Sequence, residues 1–102
     1  MSSKRDSLEN YTLLLLEVQK MRHTTFKAET FLKQIRPFCK TEQLGFKVLH
    51  IRVRGSKLGI TIHIKKDFFV VQQNQALHEF IFYCDSAKSL LGKLLKHNLL
   101  TT

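Results

Sequence analysis

Residues Val48–Asp67 read VLHIRVRGSKLGITIHIKKD, and on both sides of Gly55-Ser56 apolar and polar side chains alternate. A period of two sends successive side chains to opposite faces of a strand, so each half reads as a half-buried β-strand. A two-residue turn at Gly55-Ser56, with glycine at the first central position of a type II′ turn, sets the pairing. Val53 then faces Leu58, Ile51 faces Ile60 and Leu49 faces Ile62 on one side of the ladder. The other side pairs Arg54 with Lys57, Arg52 with Gly59, His50 with Thr61 and Val48 with His63, and carries Lys65 beyond them. A slip of one residue would turn His50 and Arg52 into the core, at a cost on the order of several kcal/mol, so the alternation dictates the register.

The same period continues outward. Lys66-Asp67 reads as a second turn, followed by a strand over FFVVQQ. QQNQA reads as a third turn, and LHEFIFYC as a fourth strand with Phe80 and Phe82 pointing one way and Ile81 and Tyr83 the other. Four strands are therefore expected, as an antiparallel meander from about Leu44 to Cys84. Phe68, Val70, Ile81 and Tyr83 fall on the same side as the basic residues of the hairpin, and a helix is expected to cover them.

Upstream, the period is that of a helix. Ser3, Asp6 or Ser7 supplies starting chemistry, and Tyr11, Leu14, Leu15, Val18 and Met21 recur at helical spacing. Leu13 and Leu16 widen the stripe, which predicts burial along more than one face. Thr24 or Thr25 is placed to cap a second helix carrying Ala28, Phe31, Leu32 and Ile35, and Pro37 ends it. A helical hairpin and one kinked helix both fit. Asp85 or Ser86 caps a terminal helix with Leu90, Leu91, Leu94 and Leu95 on one face. The chain thus reads as a single α+β domain, residues 1–102, in the order ααββββα. Leu99 and Leu100 run past the face of that last helix, and a homodimer would bury them.

Charge sorts unevenly along this plan. Seventeen Lys and Arg against eight Asp and Glu give a net charge of +9, while 43% apolar residues mark an ordinary folded chain. Residues 1–10 and 67–102 are each neutral, so the whole surplus lies between Tyr11 and Lys66. Cys39 and Cys84 lack the spacing of a zinc site or a disulfide framework and read as idle thiols, and no cofactor is indicated. The longest apolar run, Leu13–Leu16, is too short to span a membrane or to serve as a secretory signal, so an intracellular, cytoplasmic protein is expected.

The candidate binding residues are His50, Arg52, Arg54, Lys57, His63, Lys65 and Lys66. Clustered Lys and Arg neutralise phosphates and displace their counterions, which points to a small, non-catalytic binding or regulatory module that engages a polyanion, DNA or RNA. A solvated strand face has the same composition. An acidic or nucleic-acid-facing protein surface would be recognised by the same charges, as by an inhibitor or adaptor. His50 and His63 on adjacent strands, beside Arg52 and Lys65, also suit phosphodiester cleavage, with a histidine as base and a cation on the developing charge. The element order is loosely similar to that of small RNA-cleaving toxins, which implies that third function, although an N-terminal strand of that fold is missing here. The hairpin and terminal helix also resemble a double-stranded RNA-binding domain. The lysine-rich helix start of that family is not matched by DSAKSLLGK, where Lys88 alone lies in the first turn.

Overall fold

Strand Val48–Val53 pairs antiparallel with strand Ile60–Ile64 through Val48↔His63, Leu49↔Ile62, His50↔Thr61 and Ile51↔Ile60, the register that the alternation dictates. The computed structural model describes residues 3–76 and 78–100. Its elements are α1 (Ser3–Lys20), α2 (Ala28–Ile35), β1 (Cys39–Gly45), β2 (Val48–Val53), β3 (Ile60–Ile64), β4 (Phe69–Gln73), β5 (Glu79–Phe82) and α3 (Ala87–Lys96). The sheet is an antiparallel meander of five strands in sequence order, not four.

The added strand is β1. Its sequence, CKTEQLG, buries one side chain, Cys39, and its last four residues are exposed. It shows no alternation because it is an edge strand whose last four residues are exposed, where nothing demands an apolar face. A register shift between Gln43 and Gly45 sets Gly45 opposite Val48.

The β2–β3 connection is also longer than two residues. Ser56 N–H donates to Val53 O at 3.0 Å and Gly55 adopts φ 87°, so Arg54-Gly55 forms the turn, with glycine where a positive φ is required. The chain then loops through Gly59, steadied by Leu58 N–H donating to Ser56 Oγ at 3.1 Å. Val53 pairs with Cys39 of β1 instead of Leu58. The register holds regardless, because Leu49, Ile51, Ile60 and Ile62 are all fully buried.

Helix packing departs further from expectation. One core contains Leu14 and Val18 of α1, Phe31 and Ile35 of α2, Leu90 and Leu94 of α3, and the inward residues of the sheet. Three helices on one face cover that face alone, so α1 buries a single stripe, Leu14, Val18 and then Met21, while Leu8, Leu13, Leu15 and Leu16 are exposed. The chain between the first two helices is neither hairpin nor kink. Thr25 forms an isolated bridge with Ser86 and Phe26 N–H donates to Asp85 O at 2.9 Å, which ties the segment to the start of α3. With Thr25 so engaged, the N-cap position of α2 falls on Lys27, whose side chain makes no capping hydrogen bond. The side chains of Ser3 and Asp6 lie outside the described residues, as does Leu77.

Ser86 caps α3, accepting from Ser89 N–H at 3.1 Å. At the other end Asn98 takes φ 56°, with Asn98 N–H donating to Leu95 O at 3.1 Å and Leu99 N–H to Leu94 O at 2.9 Å. This reversal is the Schellman closure, with asparagine in the left-handed position. It returns Leu99 and Leu100 to the molecule's own core, where both are buried. The apolar surplus that suggested a homodimer is therefore absent at this end of the chain. No helix among the described residues is long and apolar enough to cross a membrane.

Candidate nucleic-acid interface

Strand register lays the outer face of the sheet out in rows. The first joins Lys40 to Arg52, with Lys57 and Asn74 at the adjoining loops. The second crosses all five strands as Glu42, His50, Thr61, Gln72 and Glu79. The third is Val48, His63, Val70 and Ile81. A fourth lies at the β3–β4 turn, where Lys65 N–H donates to Phe68 O at 2.9 Å and the Phe68 and Tyr83 rings lie 5.7 Å apart. No helix among the described residues covers this face: Ile81 is 53% and Tyr83 68% exposed. The expected cover is missing because all three helices pack on the opposite side.

The polar row is internally bonded. Asn74 Nδ2 donates to His50 Nε2 at 3.5 Å, which leaves His50 Nδ1 to donate to Thr61 Oγ1 at 3.3 Å. His63 Nε2 donates to Gln72 Oε1 at 3.3 Å, and Gln72 Nε2 donates to Glu79 Oε1 at 2.6 Å. Both imidazoles are thus held by neutral partners, as diagonal neighbours about 7 Å apart.

The candidate residues separate into groups. Arg52, Lys57 and His50 line a recess of about 330 Å³ together with Lys40, Thr41, Glu42 and Asn74. Lys65 and Lys66 are exposed at the opposite end of the sheet, near Lys47, whose carbonyl accepts from Ile64 N–H at 2.8 Å. Arg54 belongs to neither group. Its Nη2 donates to Arg36 O at 3.2 Å, where a cation meets the negative end of α2. Lys40, Lys47 and Asn74 were missed as candidates. Lys40 lies on the strand that lacks alternation, and Asn74 in a turn whose side-chain directions only the fold reveals.

Counter-charges are scarce. Among the described residues the one ion pair within 4.0 Å is His23–Asp85, at 3.8 Å, so no described Lys or Arg is neutralised by a neighbouring carboxylate. One acid, Glu42, lies in the wall of the recess with these cations.

One other cluster has geometry of its own. His23 Nε2 lies 3.2 Å from both Ser89 Oγ and Ser86 Oγ and 3.8 Å from Asp85. All three meet the same ring nitrogen, whereas a hydrolytic relay needs the carboxylate on the other one. The group instead fastens the α1–α2 segment to α3. No three His, Cys, Asp or Glu among the described residues are placed to hold a metal ion.

Cys39 is fully buried. Burial pushes its thiol up to about 12, against the smaller opposing pull of the Arg54 guanidinium. Burial also raises the Cys84 thiol, with Lys93 opposing and Asp85 reinforcing. Native Cys39 is therefore expected to resist iodoacetamide at about pH 8, while the unfolded chain reacts. Its contribution to stability is complete below the ordinary value of 9.0 and is lost as the pH rises from there toward about 12, because the unfolded thiol ionises first. Rapid labelling of Cys39 in the native protein would contradict its placement.

No protein-family model matches the chain, and comparison with curated proteins and with solved structures likewise finds no match.

Proposed function

We propose that the chain is a non-catalytic nucleic-acid-binding module whose ligand lies on the outer face of the sheet. One observation carries the reading: a sheet face left free of helices bears Lys40, Arg52 and Lys57 around one recess, and no described Lys or Arg has a carboxylate partner within 4.0 Å. Cations held without counter-charges on an accessible surface are placed to displace the counterions of a phosphate backbone. The net charge of +9 extends that attraction beyond contact distance.

The histidines serve this face as polar spacers, since each is bonded to a neutral neighbour. His50→Gln with His63→Gln is therefore expected to leave affinity within about two-fold, as neither supplies a fixed charge for phosphate. Capture on the immobilised protein from lysate, with and without nuclease, tests the reading. Nucleic acid recovered only from the untreated lysate supports it. A partner that survives nuclease replaces it with a protein-docking function, and RNA degradation abolished by the histidine pair replaces it with the toxin reading.

A further inference from the structure

The apolar half of the outer face has no role in a purely ionic contact. Ile81 and Tyr83 stand 53% and 68% exposed in line with half-buried Val70 and Phe68. Phe68 braces the Tyr83 ring from one side at 5.7 Å between centroids and a 45° tilt. Phe46, in the β1–β2 turn at the same end of the sheet, is 97% exposed. A duplex keeps its base faces stacked inward and offers such a strip phosphates, sugars and base edges, but no flat base face to stack on a ring. A single strand offers an unpaired base whose flat face stacks on an aromatic ring.

We infer that the nucleic acid taken by this face is single-stranded, with its bases against Tyr83 and Ile81 and its backbone on the lysines and arginine at either end. The inference rests on the nucleic-acid reading above and specifies its ligand. Charge complementarity selects this occupant over an apolar protein surface, because cations bound the strip at both ends: exposed Lys47, Lys65 and Lys66 beside it, and exposed Lys40 and Lys57 with half-buried Arg52 beyond the polar row. Phe68 and Asn74 flank β4 and are six steps apart along the chain, about 20 Å at about 3.3 Å per residue. That length accepts about six stacked nucleotides at the 3.4 Å spacing of a strand, or fewer when extended.

Fluorescence anisotropy with a labelled thymidine oligonucleotide of about ten nucleotides, free and annealed to its complement, tests this directly. The single strand is expected to bind about ten-fold or more tightly than the duplex at equal salt. Tyr83→Ala should weaken the single strand by about 5- to 150-fold and leave the duplex unchanged, while Tyr83→Phe stays within about two-fold. Tyr83 is exposed, so a thermal melt of each variant should match that of the unaltered protein. Equal affinity for both ligands with no effect of Tyr83→Ala overturns the single-strand assignment and leaves the polyanion reading standing. Binding to neither at low salt overturns both. A dimer in sedimentation that Tyr83→Ala dissociates makes the strip a self-interface and overturns the inference as well.

Discussion

Ile62→Ala will lower the unfolding free energy by about 2–5 kcal/mol, whereas His63→Ala, its immediate neighbour, will cost about 1 kcal/mol or less. Ile62 is fully buried between the sheet and the helices and opposite Leu49, so truncation leaves a cavity in a core that cannot relax around it. His63 projects to the outer face and gives up one hydrogen bond, to Gln72. For a domain of this size each kcal/mol moves the melting midpoint by roughly 4–8 °C, which separates the two variants clearly in a thermal melt. Equal losses would mean that the faces of β3 are not those described.

Arg52→Ala combined with Lys57→Ala will weaken nucleic-acid binding by roughly 25-fold for a single strand at 0.1 M salt, and roughly 60-fold for a duplex. These figures follow from two lost phosphate contacts at about 0.7 or 0.9 logarithmic units of salt dependence each, with affinities converging at about 1 M. Lys57 is exposed and Arg52 half-buried on the outer face, so the fold should persist. Lys96→Ala, on the helical side of the molecule, is the matched control and should change little. Arg54→Ala tests the division of roles. Its guanidinium is engaged at the end of α2, so stability should suffer more than affinity.

Strand register was legible because Leu49, Ile51, Ile60 and Ile62 alternate with polar residues, and burying a charge forbids the neighbouring register. The α3 cap was legible to within one residue, since the sequence admits Asp85 or Ser86 there and Ser86 is the one that accepts from Ser89 N–H. β1 was hidden for the opposite reason: only Cys39 of its residues is buried. The leucines of α1 misled because spacing records which residues share a face, not how many faces meet a neighbour. Whether a helix covers Ile81 and Tyr83 likewise depends on where three helices pack, a tertiary outcome that no local pattern encodes.

The same limit governs the candidate interface. Clustered charge was visible between Tyr11 and Lys66, yet linear order placed Arg54 beside Arg52 and left Lys40 out. Folding exchanges them: Arg54 turns to the α2 carbonyl, and the β1–β2 pairing sets Lys40 opposite Arg52.

The most direct test of nucleic-acid binding through this face is the salt dependence of the equilibrium constant for a short labelled single strand. With Lys40, Lys47, Arg52, Lys57, Lys65 and Lys66 all at phosphates, log K should fall linearly with log salt at a slope of about −4, and Arg52→Ala with Lys57→Ala should flatten it by about 1.4. A slope near zero, or one that the double variant leaves unchanged, would contradict the assignment of these cations to a phosphate backbone.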